Sequence, residues 1–194
     1  MRDLNALKSL AGIVTAIACS ASDGAAQPGC TALEIPATRL EPPPTQYVRF
    51  CERHPDACRL IGDETLGADP GLDRLLDSVN KAVNSEIELV SDPDRLGVEE
   101  DWSFPQNCQG DCEDLALEKR RRLVAAGLPG ASLTMAIVHH EFQFFPHAVL
   151  LVETDTGTWV LDNLNDEITC WSAVPYRYER RERPDGLWIR YQVR

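Results

Sequence analysis

The hydrophobic period of this chain changes once, near Gly130, and that change limits the possible folds more than any other feature. Before it, Leu72, Leu75, Leu76, Val79, Val83 and Ile87 recur at intervals of three and four. That is the stripe of an amphipathic helix, predicted over residues 71–89 with Asp69-Pro70 as its start signal. A second helix is predicted over residues 112–126, stopped by Gly127-Leu128-Pro129. A shorter one within residues 47–60 is interrupted at Pro55. Beyond Gly130 the chain reads SLTMAIVHH, HAVLLVE, TWVLDN, ITCW and LWIRYQV, runs of strand length rich in β-branched and aromatic residues. Helices followed by strands predict an α+β fold with an antiparallel sheet. Residues 91–109, dense in Asp, Pro, Gly and Asn, are predicted to be a loop.

The 194 residues suit one domain, and a hydrophobic content of 43% fills one core. Residues 1–26 read as a signal peptide, with basic Arg2 and Lys8, an apolar run from Leu10 to Ala18, and a small-residue cleavage site at Gly24-Ala25-Ala26. That run is about half what a bilayer-spanning helix needs, so no transmembrane span is expected. Ala16-Ile17-Ala18-Cys19 also resembles a lipoprotein cleavage box. Ala16 stands where Leu is usual, so lipid anchoring through Cys19 is the lesser alternative to a periplasmic or secreted protein. Residues 27–45, with Pro42-Pro43-Pro44, read as an extended leader, which leaves residues 46–194 as the domain. A net charge of −12 repels polyphosphate and excludes nucleic acid as a natural partner.

Seven cysteines in an exported chain point to disulfides. Cys51 and Cys58 are the best pair, because a six-residue spacer closes readily. The partners of Cys30, Cys108 and Cys170 are not legible in the sequence. Cys112 differs in its setting: it follows Gly110-Asp111 and opens a predicted helix, where the positive end of the macrodipole favours a thiolate. A thiol nucleophile with a depressed pKa is the expectation there. Of the four histidines, His147 heads a strongly apolar strand that would hold its ring rigidly, as a general base requires. Asp162 ends the next strand. If their turn has a two-residue loop, side-chain parity puts His147 and Asp162 on one face, offset by two to four residues. Adjacent His139 and His140 point to opposite faces of a strand, and the set His139, His140, Glu141 and His147 matches no zinc spacing.

Around Cys112 the acids Asp111, Glu113 and Asp114, with loop acids Asp92, Asp94, Glu99, Glu100 and Asp101 upstream, form a set of hard oxygen donors of the kind calcium prefers. Helix-start acids stabilised by the dipole are the competing explanation.

The stretch VNKAVNSEIELVSDPDRLGVEEDWSFPQNCQGDCEDLALEKRRRL, followed by FPHAVLLVETDTGTWVLDNL, resembles the bacterial transglutaminase-like cysteine proteinases over residues 79–164. The resemblance implies a papain-like or transglutaminase-like fold in which a Cys-bearing helix packs on an antiparallel sheet carrying His and Asp. It assigns the nucleophile to Cys112, the base to His147 and the third triad member to Asp162. Some members of that family are periplasmic, calcium-dependent proteases that clip surface adhesins. By that likeness Asp111, Glu113 and Asp114 become candidate calcium ligands and a cell-surface protein a candidate substrate. Cys108 and the other additional cysteines depart from those members.

The chemistry this constellation predicts is amide hydrolysis through a thioacyl-enzyme, which needs no cofactor beyond a candidate calcium. The oxyanion would be held by the Cys112 backbone N–H and by Trp102 or Gln106. Transfer of the acyl group to an amine is the alternative within enzymes. A non-catalytic, disulfide-stabilised binding module with Cys112 oxidised is the alternative outside them.

Overall fold

The computed structural model describes residues 29–192. The signal-peptide segment, with Cys19, lies outside the described residues. Helix α1, Thr45–Arg53, runs into a 3-10 turn, Pro55–Cys58, and the two are stapled by a disulfide between Cys51 and Cys58. Helix α2, Pro70–Glu86, starts where Asp69 accepts from the backbone N–H groups of Gly71 and Leu72, at 2.6 and 3.1 Å. It ends short of residue 89. Ile87 turns extended, and β2, Glu88–Leu89, pairs in parallel with β3, Gln109–Gly110. A one-turn helix α3, Asp92–Arg95, sits inside the expected loop, and α4, Cys112–Ala125, follows.

The strands form one seven-stranded antiparallel sheet in the order β1-β9-β8-β4-β5-β6-β7. Strands β4, Leu133–His140, and β5, Pro146–Thr154, lie centrally; β6, Gly157–Leu161, and β7, Thr169–Cys170, extend one side. Strands β8, Tyr176–Glu182, β9, Trp188–Tyr191, and β1, Ala37–Glu41, extend the other. Both faces are covered. Leu133, Met135, Leu150, Val152 and Leu161 pack with Leu72, Leu76 and Leu117 of α2 and α4. On the reverse, Val138, Val149, Leu151, Tyr176 and Tyr178 pack under Leu33 and Ile35. Burial on both faces explains why β4 and β5 read as continuous apolar runs instead of alternating ones.

Two further elements depart from expectation. The stretch expected as a leader is extended, but its β1 is hydrogen-bonded to β9, and Cys30 is bonded to Cys170. It therefore seals the second core. Gly157, at φ 139°, permits this, because a Cβ there would stand 2.7 Å from the Cys30 carbonyl carbon. Strand β8, YRYERRE, was not predicted because its charged residues hide its pattern. Those charges are paired in place: Glu182 receives the buried Arg120 guanidinium at 2.5 Å and the Met135 N–H at 3.1 Å, as buried charge requires.

Candidate active site

Helix α4 is buried on nearly every side from Glu113 to Arg120 and packs on β5, which fixes its first residue, Cys112, against the start of that strand. Gly110 makes the approach possible, since a Cβ there would lie 2.9 Å from the Asp114 Cβ. Among the described residues Cys112 and Cys108 are the free thiols. Burial and the neighbouring Glu113 carboxylate push the Cys112 thiol well above the ordinary thiol range, opposed by the Ala148 backbone N–H. The thiol donates to Glu113 Oε2 at 3.2 Å. The helix-start expectation of a depressed pKa thus fails for the chain's own groups, because the dipole is outweighed by desolvation and an adjacent acid.

His147 Nε2 and Asp162 Oδ1 are 2.8 Å apart, both side chains almost wholly buried. The β5–β6 register pairs Thr154 with Gly157 and Leu150 with Leu161, so the turn has the two-residue loop that parity required. Asp162 falls opposite Val149, two residues from His147 on the same face, a diagonal within reach of long side chains without a bulge. The Leu164 N–H donates to Asp162 Oδ1 at 2.9 Å, and the Tyr176 hydroxyl donates to Oδ2. From α2, Asn84 Nδ2 holds the Asp162 carbonyl at 2.9 Å and Asn80 holds those of Asn165 and Asp166 at 3.0 Å. Burial works against the Asp162 carboxylate. The His147, Leu164 and Tyr176 hydrogen bonds outweigh it and keep the pKa below the usual carboxylate value.

Beside Cys112, one ligand oxygen from each of Asp92, Asp111 and Glu113 lies within 4.8 Å of the others. Asp111 Oδ1 and Glu113 Oε1 are buried without a hydrogen-bond partner. Burial and the Asp111 charge push Glu113 up to about 10. Like charges crowded together with unpartnered oxygens fit a hard divalent cation. Asp114 is not in this cluster, contrary to expectation. Its oxygens accept from the Ser103 N–H at 2.7 Å and from the Arg95 guanidinium, and Asp92, which also accepts from Arg95 at 2.7 Å and from the Asp101 N–H, takes its place. His139 Nε2 and Glu179 Oε2 lie 2.6 Å apart.

Cys112 and His147 line one cleft of about 580 Å³, with Ala148, Asp111, Glu113 and Gln46. A profile described as bacterial transglutaminase-like cysteine proteinase matches residues 38–193. The chain belongs to this family. Transglutaminase-like cysteine proteinases are peptidases whose nucleophile is a cysteine. Calcium-bound LapG of Legionella pneumophila superposes with a TM-score of 0.52 at 22% identity, covering 73% of this chain and 90% of that one. EGTA-treated LapG superposes with a TM-score of 0.53 at 22% identity, covering 76% and 77%. No match emerges among curated proteins.

Of the two side chains expected as oxyanion donors, Trp102 lines the cleft with Cys112, but its indole N–H is already engaged. Trp102 Nε1 donates to Glu100 Oε1 at 2.9 Å, and its ring packs edge-on against Tyr47 and Trp188 as a core anchor. Gln106 is exposed, in a turn closed by two backbone hydrogen bonds with Gln109 at 3.0 Å. Gln46 and Arg49 line the cleft as further donor side chains. Sequence reasoning missed them, along with Tyr176 and Asn84, because each reaches the site from an element remote in sequence.

Proposed function

We propose that this family member is an exported cysteine peptidase whose triad is Cys112, His147 and Asp162. The observation that carries the reading is the buried His147–Asp162 hydrogen bond at the cleft that Cys112 lines. In that reading His147 takes the thiol proton, and the thiolate attacks a peptide carbonyl. Collapse of the tetrahedral intermediate expels the amine, which leaves with the proton from His147, and a thioester remains. His147 then deprotonates a water, which attacks the thioester and regenerates the thiol. Asp162 holds the imidazole tautomer and balances the imidazolium. The Cys112 backbone N–H at the start of α4 meets the oxyanion, with Gln46 as the side-chain donor in the cleft.

Calcium is part of the proposal, supported by the unpartnered oxygens and by the calcium-bound state described for LapG. Asp92, Asp111 and Glu113 would hold it, where it would neutralise the acids beside the thiol. Export is supported by the two disulfides and the signal-like residues 1–26. Among the described residues no helix is long and apolar enough to cross a membrane. The substrate in this reading is a protein or peptide, with a cell-surface protein as the class the family likeness implies.

The test is cleavage of a proteome-derived peptide library, with and without calcium, read by mass spectrometry. Cleavage should vanish in Cys112→Ala and fall about 10⁴-fold in Asp162→Asn, which keeps the fold while removing the orienting charge. A primary amine added to the assay separates the alternatives, since its incorporation in place of water would make the chain an acyltransferase. Undiminished cleavage by Cys112→Ala would sink the triad.

A further inference from the structure

The His147 ring is held by more than Asp162. Tyr176, on β8, is separated from β5 by β4. It nonetheless reaches across on the same face, with its ring centroid 5.5 Å from that of His147 and tilted 53°. Phe145 stands edge-on to the imidazole at 6.0 Å and 78°. Behind both, His140 stacks on Phe145 at 5.2 Å and meets Tyr176 edge-on at 5.7 Å. The imidazole is thus held between two aromatic rings braced by a third. The Tyr176 hydroxyl donates to the Asp162 oxygen that His147 does not use. Asp162 alone could rotate about its terminal torsion, which is broad and two-fold for a carboxylate. With Oδ1 taken by His147 and the Leu164 N–H, and Oδ2 by Tyr176, both oxygens are assigned.

We propose that Tyr176 is a positioning residue of this site, locking the Asp162 carboxylate through its hydroxyl and the His147 ring through its face. The inference rests on the triad reading above. It has an electrostatic side, because the hydroxyl draws negative charge from the carboxylate that faces the imidazole. Burial and Asp162 push the Tyr176 hydroxyl far above its ordinary value, so it donates throughout the working range. The other ionisable groups around the pair are Cys112 and Lys119 of α4, His140 of β4, Tyr178 of β8 and Asp166 of the following loop. Burial pulls Lys119 down to about 7. It titrates in the same range as an ordinary imidazole, so the His147 ring must be read directly.

The experiment follows the His147 ring carbons by NMR from pH 4 to 9 in three proteins and a control. Tyr176→Phe removes the hydroxyl, leaves more charge on Asp162, and should raise the His147 midpoint by about half a unit. Site-specific 3-fluorotyrosine at 176 keeps the ring, donates more strongly, and should lower the midpoint. Tyr178→Phe makes the same change two residues along β8, where the hydroxyl reaches only the Trp171 carbonyl at 3.4 Å, and should leave it in place. On any peptide cleaved by the wild type, Tyr176→Phe should lower kcat about tenfold at unchanged KM. A midpoint identical in wild type, Tyr176→Phe and the fluorinated protein overturns the proposal. So does a kcat loss matched by an equal loss in Tyr178→Phe. The titration needs no turnover, so an unmoved midpoint removes Tyr176 alone, whereas activity surviving in Cys112→Ala removes the triad.

Discussion

At the residue scale the site holds a conflict: the proposed nucleophile sits among acids that oppose its ionisation. Glu113 is nearly inaccessible, and burial with the Asp111 charge pushes it up to about 10. The protein's own groups thus favour its protonated form. A cation bound through Asp92, Asp111 and Glu113 needs the carboxylate, so binding must expel that proton. Calcium titration calorimetry at pH 7 in two buffers of different ionisation enthalpy should show release of about one proton per ion, with affinity rising from pH 6 to 8. Equal heats in the two buffers would show that no protonated Glu113 gives up its proton to the ion. The residues of the proposed triad stand out in the sequence because parity along two strands and position at a helix start are local properties. That Asp92 joins the cluster while Asp114 turns to Ser103 was not legible, since side-chain direction at the helix start depends on what packs beside it.

Among the elements, the two disulfides tie down the segments with least core of their own. The Cys51–Cys58 bridge spans 7 residues and Cys30–Cys170 spans 140. Loop-closure entropy assigns about 2 kcal/mol to the first and about 5 kcal/mol to the second. Urea unfolding should show the larger loss for the Cys30→Ser, Cys170→Ser pair, whose effect includes release of Leu33 and Ile35 from the second core. A smaller loss than for Cys51→Ser, Cys58→Ser would mean that the N-terminal segment stays docked without its staple. Helix α2 and strands β4 to β6 follow the apolar pattern because each buries its own stripe or face. Strands β1 and β8 do not, because their hydrogen bonds and charge pairs are made with distant chain.

For the whole molecule, the buried ionisable groups set how stability depends on pH. Glu113, raised to about 10, binds a proton in the folded state that the unfolded chain releases above about 4.5. Stability therefore falls as pH rises, by up to about 1.4 kcal/mol per pH unit for each such proton. Burial and acidic neighbours raise Asp111 and Glu100 in the same direction. Lys119, lowered to about 7 by burial, acts oppositely above that value, because there the unfolded chain holds the extra proton. Thermal melts in chelator should decline from pH 5 to 7 and flatten above it. Glu113→Gln, neutral at every pH, should shallow the decline. Melting temperatures that climb from pH 5 to 7 in chelator would show these acids to be ionised in the folded protein.

Local period and motif carried much of this protein's description. That part comprised the α+β order, the helix opened by Cys112, the strands that carry His147 and Asp162, the Cys51–Cys58 pair and the family likeness. Folding alone selects the distant side chains at the site: Tyr176 and Asn84 on Asp162, Gln46 in the cleft, Asp92 in the cation cluster, and Cys170 as the partner of Cys30. The physical reason is range. Backbone periodicity is written by neighbours a few residues apart, whereas the groups that satisfy a buried charge are chosen by whatever the fold brings within hydrogen-bond distance.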